Sequence, residues 1–246
     1  MQCLAVDTLH TLYYGPVMRW VSAVVWRALL ANPWGFRGAK KAKLELACRQ
    51  LRGHLRAWSV EAGIAAGDRL GDLTLSMLGG EPAPEGCMMK TKAAETGMLM
   101  PWALRLLQEY EPHIDCADEL TAAGNALVDY MAILRSQPMI MPRHKQQECL
   151  DACLRHLVNA ERAGLHMVPK HHQFVHLTLR LQHHGNPRWH STFLDESLNI
   201  VLRTVCAAAH RARMQSRIFH LFALQAQLGL APFLFGPTTH ISHGNG

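Results

Sequence analysis

The chain has 246 residues, with 25 basic and 19 acidic side chains and a formal net charge of +6. Hydrophobic residues make up 49% and charged residues 18%, a composition that supports a buried core and excludes an intrinsically disordered chain. The mild positive excess is compatible with a nucleic-acid partner and equally with a basic surface that binds nothing.

Residues 7–30 are predicted to form the first helix, because apolar side chains recur there at helical spacing until Asn32-Pro33 ends the pattern. So much apolar surface implies a helix that is mostly buried. Arg19 and Arg27 interrupt the apolar run, which is too short and too charged to cross a bilayer, so no membrane partner is expected.

Residues 39–62 form the second predicted helix, which is the clearest basic amphipathic segment of the chain. An apolar stripe marks one side of it. The basic side chains that fall largely on the other side are Lys41, Arg49, Arg52 and Arg56. Two interpretations stay open, since such a face either contacts DNA phosphates or is an ordinary solvated surface.

Residues 63–86 are less regular. Apolar and polar residues alternate over 72–78, which favours a short strand. The Gly- and Pro-rich stretch at 79–84 is a loop and the best candidate for an internal boundary. It separates an N-terminal part, 1–86, from a helical domain, 87–230, and a disordered tail follows at 231–246.

The chain after residue 90 is predicted to be helical almost throughout. Helices are indicated around 94–106, at 115–137 and 143–163, from Pro169 to about Gly185, and at 193–228. Strand signals are few, so the expected fold class is mainly α: a multi-helix array with at most a small remnant of sheet.

Carboxylates in two segments are candidates for metal chemistry. Asp7 and His10 lie three residues apart, which suits either a divalent-metal carboxylate with a supporting histidine or a simple helix N-cap. Glu196 is a candidate metal ligand or general base, with Asn199 one turn along on the same face. The alternative is that Glu196 only complements the dipole of a helix start.

The histidines form a third candidate. His172 and His176 are four residues apart, a geometry that binds zinc on a helix, but the glutamate of an HExxH motif and a nearby cysteine pair are both lacking. With 16 histidines in the chain, a chance pair is easily found. The 7 cysteines are odd in number and include no CxxC, which argues against a disulfide framework and favours a reducing compartment.

Four motifs occur in an order that resembles the later part of DDE-type DNA transposases. They are DxxH at 7–10, KxKAAET at 90–96 followed by Pro-Trp, PKxHxxxH at 169–176 and FLDExLN at 193–199. The nearest groups are those related to CACTA and Kyakuja–Dileera–Zisupton elements. The similarity covers nearly the whole chain, from about 7 to 228.

This resemblance implies an RNase H-like catalytic domain interrupted by a helical insertion, in which three carboxylates hold two Mg²⁺ ions. Asp7 resembles the second carboxylate and Glu196 the third, with Glu95 as the alternative. The residues expected to support these ligands are His10, His172, His176 and Asn199. The first catalytic Asp of the family belongs well upstream of Asp7, so the chain as given is not expected to cleave DNA by itself.

The sequence therefore predicts a transposase-derived, DNA-associated protein without independent catalysis. One alternative is a helical protein-interaction module with no nucleic-acid role. Another is a fragment of a Mg²⁺-dependent nuclease or strand transferase that a partner completes, either a full-length transposase or another protein. The expected location is intracellular, in the nucleus, with the cytoplasm as the alternative.

Overall fold

The computed structural model describes residues 7–70, 72–79 and 88–190, and within these ranges it contains helices and no strand. A π-helical segment, Leu9–Val17, leads directly into the first α-helix. The α-helices are α1 Met18–Ala31, α2 Lys40–Glu61, α3 Ala93–Tyr110, α4 Ala117–Ser136, α5 Arg143–Arg162, α6 Pro169–Leu179 and α7 Leu181–His184. The mainly α, multi-helix fold class is confirmed. The predicted helix at 193–228 and the tail at 231–246 lie outside the described residues.

The described helices belong to one compact unit of the chain. Helices on both sides of the Gly- and Pro-rich stretch pack together in this unit, because α1 lies against α3 and α4. Polar bonds also cross this stretch, since the Met89 N–H donates to Ser22 Oγ at 3.0 Å. Short 3₁₀ turns occupy Ala66–Asp68, Glu111–His113 and Pro187–His190.

The strand predicted at 72–78 is wrong, because this segment forms a turn. Thr74 closes the turn twice: its carbonyl accepts the Leu78 N–H at 3.1 Å and its hydroxyl accepts the Met77 N–H at 3.2 Å. Leu73 and Leu78 are fully buried, and the Leu78 carbonyl accepts Trp26 Nε1–H at 2.9 Å. The apolar residues of this segment are therefore buried because they fix the two ends of a turn to the core, and they do not belong to a strand.

The helix predicted at 7–30 is interrupted at Gly15-Pro16. Gly15 departs from helical geometry, with φ −117° and ψ −111°, and Pro16 has no N–H to donate. The Met18 N–H reaches back to the carbonyls of Gly15 and Tyr13, which leaves the Tyr14 carbonyl without its α-helical donor. Lys170 Nζ from α6 donates to that carbonyl at 3.0 Å. A distant side chain therefore completes the bonding of the bend.

Helix α1 is buried along most of its length. Its apolar side chains point in several directions, as expected of a helix surrounded by neighbours. Trp20 packs directly on α4, because its ring covers Gly124 and its Nε1–H donates to the Leu120 carbonyl at 2.7 Å. The helix ends at Asn32, whose backbone is left-handed, with φ 48°.

Helices α4 and α5 form the most extensive helix pair of the described chain, and α6 packs against α5. Two histidines are enclosed in this region. His156 is fully buried, with Nδ1 3.0 Å from the Ala123 carbonyl, and His171 is 2% exposed. Their rings are stacked with centroids 6.2 Å apart, and neither Nε2 has a hydrogen-bond partner among the described residues. Burial lowers the pKa of both imidazoles, that of His156 to about 4.

We expect Gly124→Ala to destabilise the protein by about 2 kcal/mol, net of the ~1 kcal/mol that Ala gains over Gly in a helix. A Cβ at this position overlaps the Trp20 ring, with Cε2 and Cη2 only 2.7 Å away. Urea unfolding followed by circular dichroism measures the change. Gly53→Ala on α2 is the matched control, since nothing lies within 4 Å of its added Cβ and it should stabilise slightly. A Gly124→Ala protein as stable as the parent would contradict this packing.

Acidification should destabilise the fold through His156. An unfolded histidine titrates near its ordinary pKa of about 6.5, so between that pH and about 4 the unfolded chain binds a proton that the native state excludes. The free energy of unfolding should thus fall by roughly 3 kcal/mol as the pH drops through this window. Urea unfolding at several pH values tests this. His156→Leu should flatten the dependence, whereas His113→Leu, at an exposed position, should leave it intact.

Candidate functional site

Asp7 and His10 interact directly at the start of the π-helical segment. Asp7 Oδ2 accepts the backbone N–H of His10 at 2.9 Å and lies 2.5 Å from Nδ1 of the same residue. The Asp7 side chain is 18% exposed and that of His10 is 58% exposed. This arrangement has the hydrogen bonding of a helix cap, which is one of the two interpretations that the spacing allowed.

Glu95 caps its own helix. Its Oε2 accepts the Lys92 N–H at 2.8 Å, at the first turn of α3. Within the described ranges, no group of three or more Asp, Glu, His or Cys side chains is placed to share a metal ion, so Asp7 and Glu95 do not meet in such a group there. Glu196 and Asn199 lie outside the described residues, and the predicted pairing of Asp7 with Glu196 stays a prediction.

His172 and His176 lie on the exposed side of α6, opposite the buried side formed by His171, Phe174 and Leu177. Their Nε2 atoms are 2.8 Å apart and their rings are perpendicular, with centroids 4.4 Å apart. The side-by-side placement expected from the i, i+4 spacing is therefore present in the structure.

The four basic residues predicted on the second helix lie on α2. Lys41, Arg49 and Arg56 are exposed, whereas Arg52 is half-buried with Nη1 3.2 Å from Asp72 Oδ1. Their spacing of eight, three and four positions places them along one side of the helix, over about 22 Å from first to last. Glu45 lies on the same side, and no ion pair joins it to these cations in the described chain.

His54, which the sequence analysis did not identify, links the inner side of α2 to α3 by hydrogen bonds. Trp102 Nε1–H donates to His54 Nδ1 at 2.9 Å, so the remaining proton of His54 is on Nε2 and faces Glu109 Oε2 at 2.9 Å. Desolvation acts to raise the pKa of Glu109, but hydrogen bonds from His54 and Tyr110 outweigh it and lower that pKa. These bonds hold α2 against α3 and leave the basic side outward.

No known protein family, curated protein or solved structure matches the chain. In the part of the chain that the structure describes, none of the helices combines the length and apolar character needed to span a bilayer.

We expect His54→Leu to destabilise the protein by about 2 kcal/mol, because the fully buried Trp102 then keeps an N–H with no acceptor. Amide hydrogen exchange should become faster in α2 if this bond holds the helix in place. Glu109→Gln retains an acceptor for His54 at an exposed position and should cost under ~1 kcal/mol. Equal losses in the two variants would show that the Trp102 bond is not what fastens α2.

Proposed function

We propose that this chain is a transposase-derived protein that associates with DNA through the basic side of α2, defined by Lys41, Arg49, Arg52 and Arg56. The proposal assigns no strand cleavage to the chain acting alone. Its support comes from the motif order and from the exposed cations of α2. The net charge of +6 adds a general attraction to polyanions.

The main support for the proposal is that three of the four cations on the basic side of α2 form no ion pair within the described fold. Lys41, Arg49 and Arg56 are exposed, and none of the three forms an ion pair with another described residue. Two other surface cations of the described fold do form ion pairs, Arg155 with Asp129 at 2.8 Å and Lys145 with Glu148 at 2.7 Å. Unpaired guanidinium groups retain their capacity for bidentate contacts with phosphate oxygens.

The expected mode of binding is indifferent to sequence. A row of cations along about 22 Å of helix faces several phosphates of a duplex, which carries one charge per ~1.7 Å of its axis. Contacts to phosphates position a protein on the duplex but do not recognise the base sequence. Binding of this kind releases counterions and weakens steeply with salt.

The non-catalytic part of the proposal follows from the resemblance. The related enzymes use three carboxylates to hold two Mg²⁺ ions, and Asp7 and Glu196 supply two of them. Two carboxylates balance the charge of two divalent ions poorly. If a full-length transposase or another partner supplies a further carboxylate, Asp7 and Glu196 are the residues whose removal would abolish cleavage.

A second candidate function is protein binding through α5. Leu154 and Val158 are one turn apart on this helix and are 46% and 45% exposed. Exposed apolar side chains at this spacing are typical of helices that pack against a partner. The α2 cations have no role in this alternative. A measurement of DNA binding therefore distinguishes it from the DNA-associated function.

We expect the chain to bind duplex DNA of unrelated sequences with similar affinity, and the triple variant K41Q/R49Q/R56Q to bind about ten-fold or more weakly at low salt. Losing three phosphate contacts should also reduce the slope of log K against log salt by about 2–3. Fluorescence anisotropy with labelled duplexes over a salt series measures both quantities.

The matched control is R105Q/R143Q/R162Q, which removes the same charge from exposed positions on α3 and α5. It should bind nearly as well as the parent chain. Equal weakening in the two triple variants would mean that net charge, and not α2, determines binding. No retention of DNA even at low salt would refute the DNA-associated function and favour the α5 alternative.

A further inference from the structure

His172 and His176 present two ring nitrogens to the same point in space. Their Nε2 atoms are 2.8 Å apart, so one ring donates a hydrogen bond and the other accepts it. Both side chains are exposed on the outer side of α6, where solvent reaches them. The bond holds the two imidazoles with their Nε2 atoms converging, a geometry in which a bound ion can replace the shared proton.

The separation suits a transition-metal ion. Metal–nitrogen bonds to histidine are about 2.0–2.1 Å long, which places two ligating nitrogens about 2.9 Å apart at the 90° angle of tetragonal Cu²⁺ or Ni²⁺ and about 3.3 Å apart in tetrahedral Zn²⁺. The observed 2.8 Å needs an opening of only a few tenths of an ångström, within reach of small side-chain rotations. We propose that His172 and His176 form a two-histidine site for a divalent transition-metal ion that prefers imidazole ligands.

The site differs in kind from the carboxylate chemistry implied by the motif resemblance. Imidazole nitrogen selects Zn²⁺, Ni²⁺ or Cu²⁺, whereas Mg²⁺ requires oxygen ligands. No third Asp, Glu, His or Cys of the described chain joins the pair, so water occupies the remaining positions and the ion exchanges readily.

Metal binding is coupled to the helix. The two rings face each other only when residues 172 and 176 are one turn apart, so the bidentate site exists in folded α6 and not in the unfolded chain. An ion that binds the folded state alone raises the stability by RT ln(1 + [M]/Kd). At a concentration one hundred times Kd the increase is about 2.7 kcal/mol.

The adjacent histidines His183 and His184 supply the internal comparison. They end α7 as consecutive residues, and consecutive side chains of a helix diverge by about 100° and cannot converge on one ion. The buried pair His156 and His171 is closed to solvent and does not compete for added metal.

The test uses NiCl₂ as the probe and the full chain, with isothermal titration calorimetry and the shift of the melting temperature as readouts. H172Q and H176Q should each weaken Ni²⁺ binding at least ten-fold and abolish most of the metal-dependent rise in melting temperature. Both positions are exposed, so circular dichroism should show an unchanged fold without metal. H183Q/H184Q should bind Ni²⁺ like the parent chain, and MgCl₂ should leave the melting temperature unchanged in every variant.

The proposal is overturned if both single variants keep the parent affinity. It is also overturned if the affinity falls to the same extent in H183Q/H184Q, because any surface histidine would then serve. DNA is absent from these measurements, so their outcome is separable from that of the proposed function.

Discussion

The contact between Trp20 and Gly124 is the constraint on which the arrangement of the described helices depends. An indole that lies directly on a helix backbone requires the absence of a Cβ at the glycine beneath it. The bond from Nε1 to the Leu120 carbonyl sets the orientation of the ring as well as its depth. With α1 held this way, its remaining apolar sides are covered by the π-helical segment, α2 and α3.

Several polar groups freed by this packing find partners on distant elements. The bend at Gly15-Pro16 frees the Tyr14 carbonyl, which accepts a hydrogen bond from the Lys170 amine. Burial lowers the pKa of the Lys170 amine. A Cβ at Gly15 would lie 2.9 Å from Lys170 Cβ, so the glycine also permits the close approach of α6. The enclosed His156 and His171 are exceptions, because neither Nε2 has a partner among the described residues and the fold accepts a neutral imidazole at His156.

The same architecture determines which chemistry remains available at the surface. His54 links α2 to Trp102 and Glu109 of α3. On the other side of α2, Lys41, Arg49 and Arg56 are exposed to solvent. On α6, Phe174 and Leu177 enter the core while His172 and His176 remain outside. In both helices, one side is used for packing and the opposite side carries the groups that are free to bind.

Local patterns in the sequence determined α2 almost to the residue, predicted at 39–62 and observed at Lys40–Glu61, because helical periodicity and end signals act within a few positions. They also determined the His172–His176 pair, since one turn of helix brings residues four apart together. They did not reveal the interruption of the first helix at Gly15-Pro16. Only the tertiary structure decided that His54 meets Trp102 across 48 positions and that Lys170 reaches the Tyr14 carbonyl across 156. Such contacts depend on how whole helices dock, and no local pattern of residue types encodes the shape of a distant partner.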